Sequence, residues 1–301
     1  MQIFDFIASI GFPGAIAQGI IWGLMAIGVY ITYKILDIAD LTVDGSFTTG
    51  GAVLVVCVTS GMDVSLAMLI AFGAGCAAGL VTGIFHTKFG IPAILAGILT
   101  QLALYSVNLR ILSGANLGLN ATKYPVLITS FLQNEAIIVG AVIVIAIIAL
   151  LYWLFGTELG HALRATGNNS AMARANGINT DTGKVIGLVI SNGFVALSGA
   201  MLAQYQGFAD VNMGRGAIVI GLAAVIIGEV IFGKLFKNFA LKLLASVIGG
   251  IVYYVVITIV IKMGLRADDL KLLTALVVAI FLGIPYWKRK LSEMKTVKGD
   301  V

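Results

Sequence analysis

The feature that most constrains this chain is a succession of apolar runs almost free of charge. Nine can be read, at about 6–33, 45–62, 64–85, 89–109, 136–157, 185–209, 216–233, 243–261 and 272–287. A hydrocarbon core about 30 Å thick takes roughly 20 apolar residues as helix, so most of these are long enough to cross it. Those at 45–62, 216–233 and 272–287 are short and glycine-bearing or interrupted. Backbone groups in lipid must be paired within the segment, and no period-2 alternation suggests a barrel, so the runs predict helices. Composition agrees: 59% of residues are apolar and only 11% charged, against about 25% charged in a soluble domain. Too few polar side chains remain to cover a soluble globule. The expected fold is an all-α polytopic transmembrane helical bundle of about 8–10 spans, nine counted. Residues 1–301 form a single transmembrane domain, with no nucleic-acid partner expected.

Basic residues set the orientation. With the 158–184 loop in the cytoplasm, Lys34, Lys88, Arg164, Arg174, Lys184, Lys234, Lys237, Lys242, Lys288, Arg289, Lys290, Lys295 and Lys298 fall inside. Arg110, Lys123, Arg215, Lys262, Arg266 and Lys271 fall outside. This asymmetry follows the positive-inside rule and predicts the N-terminus outside and the C-terminus cytoplasmic. No Lys or Arg precedes Lys34, so the first run lacks the basic region of a signal peptide and is expected to be retained as a span.

Several motifs bear on chemistry. Gly228–Leu235 mimics the first seven positions of a phosphate-binding loop, but Leu235 stands where Ser or Thr must hold magnesium. Cys57, Cys76, His86 and His161 show no ligand spacing, so no metal site and no catalytic residue is assigned. Gly75, Gly79 and Gly83 recur at every fourth residue, the spacing that lets two helix backbones approach closely. The polar island Glu158–Lys184 is alanine-rich, and Gly177 suits the residue after a short helix ending near Asn176. From its chemistry alone it is either a low-relief knob for another protein or an amphipathic loop on the membrane surface.

The residues of that island resemble the cytoplasmic loop of permease subunits from ATP-binding-cassette (ABC) importers of the branched-chain amino-acid and ribose type. The matching positions are Gly160, Ala162, Arg164, Ala165, then Gly177, Ile178 and Asn179, followed by a span rich in small residues. His161 departs from the arginine frequent there. The resemblance implies that 158–184 is a coupling loop, with Ala171 and Ala175 on its helix, which docks on a separate ATPase subunit. It also implies an extracytoplasmic substrate-binding protein, a second permease copy forming a homodimer, and a bacterial inner membrane. The chain itself then needs no cofactor, since ATP and magnesium belong to the partner ATPase. The wording D-L-T-V-D-G-S-F at 40–47 further resembles a subgroup that includes importers of aromatic amino acids.

Residues 38–53 hold the candidate pathway. Asp37, Asp40 and Asp44 fall on the cytoplasmic side of the expected topology, Gly45, Gly50 and Gly51 loosen the following span, and Ser46 or Thr48 is placed to cap a half-helix. A corresponding short segment occurs at 214–233 with Glu229. Paired short segments in two halves of a transporter point to a solute pathway. Asp44, Ser46, Phe47 and Glu229 are the candidate pathway residues. Two readings stay open for Asp44, pathway or loop end at the interface, and two for Glu229, pathway or a surface pair with Lys234 or Lys237. The expected function is the membrane subunit of an importer of an amino acid or similar solute, by alternating access. The alternative is a self-contained secondary transporter or channel, which a shortage of intramembrane ionisable groups disfavours.

Overall fold

The computed structural model describes residues 11–264, apart from 122 and 234, and part of 269–283. Ten α-helices are numbered here in chain order. Helix α1 spans Phe12–Tyr30 and ends in a π-helical turn, Ile31–Ile35; α2 spans Val43–Thr59, α3 Val64–Thr87, α4 Ala93–Leu112 and α5 Gln133–Phe155. The polar island forms α6, Glu158–Asn168, and α7, Ser170–Ala175. Then come α8, Thr180–Gln206, α9, Ala217–Phe232, and α10, Phe239–Lys262. Two short strands, β1 (Asn116–Gly118) and β2 (Phe208–Asp210), pair antiparallel at the end opposite α6 and α7.

Six of the described helices are long and apolar enough to cross a membrane, whereas α2 and α9 are shorter. Against the nine expected spans, the described residues hold six such long helices and two short ones. The ninth run, 272–287, falls largely outside the described residues, as do residues 1–10 and the basic tail that carried the orientation.

Burial separates inner helices from outer ones. In α1 with its π turn, 78% of the most apolar window is buried, and in α8, 72%. In α4 and α5 the figure is 22%, and side chains such as Leu102, Ile138, Val142 and Ile145 face outward. Outward apolar side chains suit lipid, where no hydrophobic drive joins helices and close packing must do so instead. The predicted glycine stripe supplies that packing. A Cβ on Gly75 would meet the Asn192 carbonyl of α8, one on Gly79 the Leu188 carbonyl, and one on Gly83 the Val185 backbone. On α1, Gly19 and Gly23 play the same part against Ile251 and Val247 of α10.

The two central helices head matching sets. In chain order α1–α2–α3 and α8–α9–α10 are each long, short, long, and they run in opposite directions. Each short helix packs on the other set's long one: α2 on α8, and α9 on α1. Residues 36–42 and 207–216 lead into the short helices without forming helix themselves, apart from the β2 pairing. Asp37 takes the left-handed conformation, φ 54°, and turns the chain back into the bundle after the π turn. Asn and Asp tolerate that region better than other residues with a Cβ.

Candidate functional site

The segment after Asp37 does not stay at the end of the bundle. Asp40 is 2% exposed; its Oδ1 accepts from the Thr42 N–H at 2.9 Å and its Oδ2 from the Asn192 amide at 2.7 Å. Asn192 lies near the middle of the 27-residue α8. Ser46 donates to Asn192 Oδ1 at 2.6 Å. Thr42, Thr82 and Thr100 continue the chain of hydrogen bonds into α3 and α4, at 2.7 and 2.9 Å. A buried carboxylate is tolerated only where such partners satisfy it. This network therefore pins the start of α2 at mid-depth. The sequence placed Asp40 and Asp44 at the cytoplasmic end because Asn192, their anchor, is remote in the chain.

Asp44 joins the two short helices. Its Oδ2 accepts from the Gly216 N–H and its Oδ1 from the Ile218 N–H, both at 2.9 Å. The first turn of α9 thus takes its cap from another helix, and the carboxylate faces the positive end of the α9 dipole. Neither Ser46 nor Thr48 caps α2 as the sequence suggested. Thr48 instead donates to the Asp44 carbonyl at 3.1 Å and accepts from the Gly214 N–H at 3.1 Å, closing the junction from the other side.

The other pathway candidates lie elsewhere. Phe47 is fully buried and stacks on Trp22, centroids 4.9 Å apart; it fills the core between α1 and α2. Ser46 is buried in the Asn192 network. Glu229 lies near the α6–α7 end of the bundle, paired with Lys34 at 2.7 Å, a partner the sequence reading did not consider; Lys234 lies outside the described residues. Of the four, Asp44 lines a cavity, which it shares with Gln101, Tyr105 and Asn108 of α4 and Arg215. The Lys34–Glu229 side chains are one-third and one-half exposed, and such pairs contribute roughly 0–1 kcal/mol. Glu229→Gln should leave the unfolding midpoint and solute uptake within error of wild type; a severalfold fall in uptake would give the pair a larger role.

The polar island folds as its composition suggested. Thr157 precedes α6; Asn169 caps α7 by accepting from the Met172 N–H at 3.0 Å, and Asn179 caps α8 by accepting from the Thr182 N–H at 3.1 Å. Gly177 follows α7 at φ 80°, and the Ile178 N–H reaches back to the Ala173 carbonyl at 3.0 Å. Buried Gly160 packs on the Phe155 backbone, and Ala162 and Ala165 are half-buried. Arg164 is exposed, yet its guanidinium lies over the Phe239 and Phe155 rings, 4.6 and 5.5 Å from their centroids, fastening α6 to α5 and α10. The outward face instead carries Ala171, Ala175 and Met172, the last 64% exposed. Met172 is the residue the sequence reading missed, hidden in a run where alanines drew attention. At the far end of α6, Gly167 sits so close to the Ile35 carbonyl that a Cβ would overlap it.

Comparison with known proteins matches these features to a family. Residues 13–286 fit the model described as the permease component of the branched-chain amino acid transport system. The chain is 42% identical over 273 residues, 90% of each protein, to the tyrosine transport system permease protein of Clostridioides difficile. It is 33% identical over 210 residues, 69% of this chain and 57% of the relative, to the autoinducer 2 import system permease protein LsrC of Yersinia enterocolitica. Among solved structures, PsaBC from Streptococcus pneumoniae in complex with Fab shares the fold, with a TM-score of 0.55 at 15% identity over 94% of both chains.

Proposed function

The chain belongs to the branched-chain amino acid transport system permease family of ABC importers, and we propose that it moves an aromatic amino acid inward through a pathway centred on Asp44. Family membership makes it a multi-pass transport subunit and implies an ATPase subunit and a binding protein as partners. The solute is inferred from the tyrosine permease of C. difficile. The observation that carries the pathway is the meeting of two short helices at one carboxylate half-way along α8, an arrangement that transporters use at solute sites. The cavity beside Asp44 opens on the flank of the bundle, next to exposed Leu102 and Tyr105. An ionisable group facing hydrocarbon there would cost roughly 2.5–3.5 kcal/mol. A second copy of the chain covering that flank removes the cost and encloses the pathway, so the working unit is a homodimer.

The α6–α7 end faces the cytoplasm of a bacterial inner membrane in this reading. Among the described residues Lys34, Lys88, Arg164, Arg174, Lys184, Lys237 and Lys242 lie at that end and Arg110, Lys123 and Lys262 at the other, with Arg215 beside Asp44 between them, an asymmetry that follows the positive-inside rule. The single transmembrane domain then offers 158–184 as its coupling loop, with ATP and magnesium held by the ATPase. Its contact face is Ala171, Met172 and Ala175, while Gly160, Arg164, Gly177 and Asn179 hold the loop in shape. Met172→Glu should cut co-purification of the ATPase from its gene neighbourhood at least about tenfold, since it places a charge in an apolar contact. Undiminished co-purification and uptake would remove α7 from the interface.

A further inference from the structure

The cavity beside Asp44 has a chemical asymmetry that the pathway reading alone does not use. Its volume is about 340 Å³, and its lining includes Asp44, Gln101, Tyr105, Asn108 and Arg215. Asp44 and Arg215 bring opposite charges to one space, yet neither takes part in an ion pair among the described residues. Each Asp44 oxygen accepts one backbone N–H, and a carboxylate oxygen has room for a second donor. Asn108 is 1% exposed; its amide nitrogen donates to the Gly45 carbonyl at 3.4 Å, and its buried Oδ1 has no partner among the described residues. A buried acceptor left open is uncommon in folded proteins and marks a place for a donor from outside the chain. Tyr105 adds an aromatic wall, 41% exposed.

We infer that this cavity is a selective solute subsite that binds the zwitterionic head of an aromatic α-amino acid. The ammonium group donates to Asn108 Oδ1 and Asp44, the carboxylate accepts from the Arg215 guanidinium, and the solute's ring lies against Tyr105. A cation alone would leave Arg215 unmatched and an anion would face Asp44, so only a ligand with both charges satisfies the lining. Charge-assisted hydrogen bonds of this kind discriminate strongly against analogues lacking one partner. The inference rests on the importer reading for its choice of solute.

The test uses the intact permease–ATPase complex in lipid nanodiscs, without binding protein. Binding of radiolabelled L-tyrosine is competed by tyramine, which lacks the carboxylate, and by 3-(4-hydroxyphenyl)propionate, which lacks the ammonium. Wild type should prefer L-tyrosine over each analogue by at least about tenfold. Arg215→Gln should erase the preference over tyramine and keep that over the propionate; Asn108→Leu should do the reverse. A misfolded variant loses both together, and Arg215→Lys, which keeps the charge on an exposed position, should restore the preference over tyramine in part. Equal preferences in all variants, or no tyrosine binding by wild type, overturn the subsite. Uptake by the same complex with its binding protein and ATP separates the two readings. Uptake of tyrosine with no preference in the cavity leaves the importer standing and removes the subsite. An ATP-hydrolysing complex that carries no amino acid removes both.

Discussion

Replacing Asp44 by alanine is expected to abolish most solute uptake and to lower the unfolding midpoint by several degrees. The carboxylate holds the Gly216 and Ile218 N–H groups, and loss of a cap of this kind costs ~1–2 kcal/mol. An N–H left without a partner away from water adds ~1–3 kcal/mol. With the cap gone, α9 is no longer fixed to α2, and the two short helices lose their common point of reference. Asp44→Asn keeps one acceptor oxygen and should fall between wild type and alanine in both measurements. Uptake into proteoliposomes and thermal unfolding followed by size-exclusion chromatography provide the two readouts. Normal uptake by a normally stable Asp44→Ala protein would show that the junction is dispensable.

Gly199→Val is expected to prevent accumulation of folded protein. A Cβ at Gly199 would land on the Phe47 carbonyl, and one at Gly50 on the Ala196 carbonyl, so α2 and α8 meet backbone to backbone. No side-chain rotation relieves a clash with a carbonyl. Overpacking typically costs ~1–3 kcal/mol, and more when backbone must move; here the displaced element also carries Asp44 and Ser46. Gly73→Val is the matched comparison, because a Cβ there meets nothing within 4 Å. The monodisperse fraction after detergent extraction should collapse for Gly199→Val and stay near wild type for Gly73→Val. Equal yields would show that the seam can open without loss of the fold.

What could be read from the sequence was whatever depends on near neighbours. The Gly75–Gly79–Gly83 stripe was legible because its period matches a helix face. The end of α7 at Gly177 was legible because a C-terminal cap is a local event. The short runs that became α2 and α9 also stood out, together with their correspondence in the two halves. Depth was not legible. Asp40 is buried because Asn192 meets it from 152 positions away, and no local pattern announces that pairing. Glu229 found Lys34 across a comparable separation. Phe47, one turn from Asp44 on α2, is buried in the core against Trp22. Asn108 carried no signal and Arg215 counted only toward the orientation, since one amide in an apolar helix and one loop arginine carry no motif.

The contact between Gly167 and Ile35 links the α6–α7 loop to the centre of the molecule. Gly167 ends α6 against the Ile35 carbonyl, where the π turn gives way to the non-helical residues 36–42, and Asp44 follows in the first turn of α2. Eight residues of one chain, 36–43, therefore separate the carbonyl under the base of the α6–α7 loop from the carboxylate at the junction of the short helices. Beyond the Gly167–Ile35 contact the connection is the covalent chain itself and needs no relay of side chains. In the proposed coupling, displacement of α6 by an ATPase is delivered as tension or slack in this short tether, with Asp37 as its bend and the Asp40–Asn192 pair as its anchor.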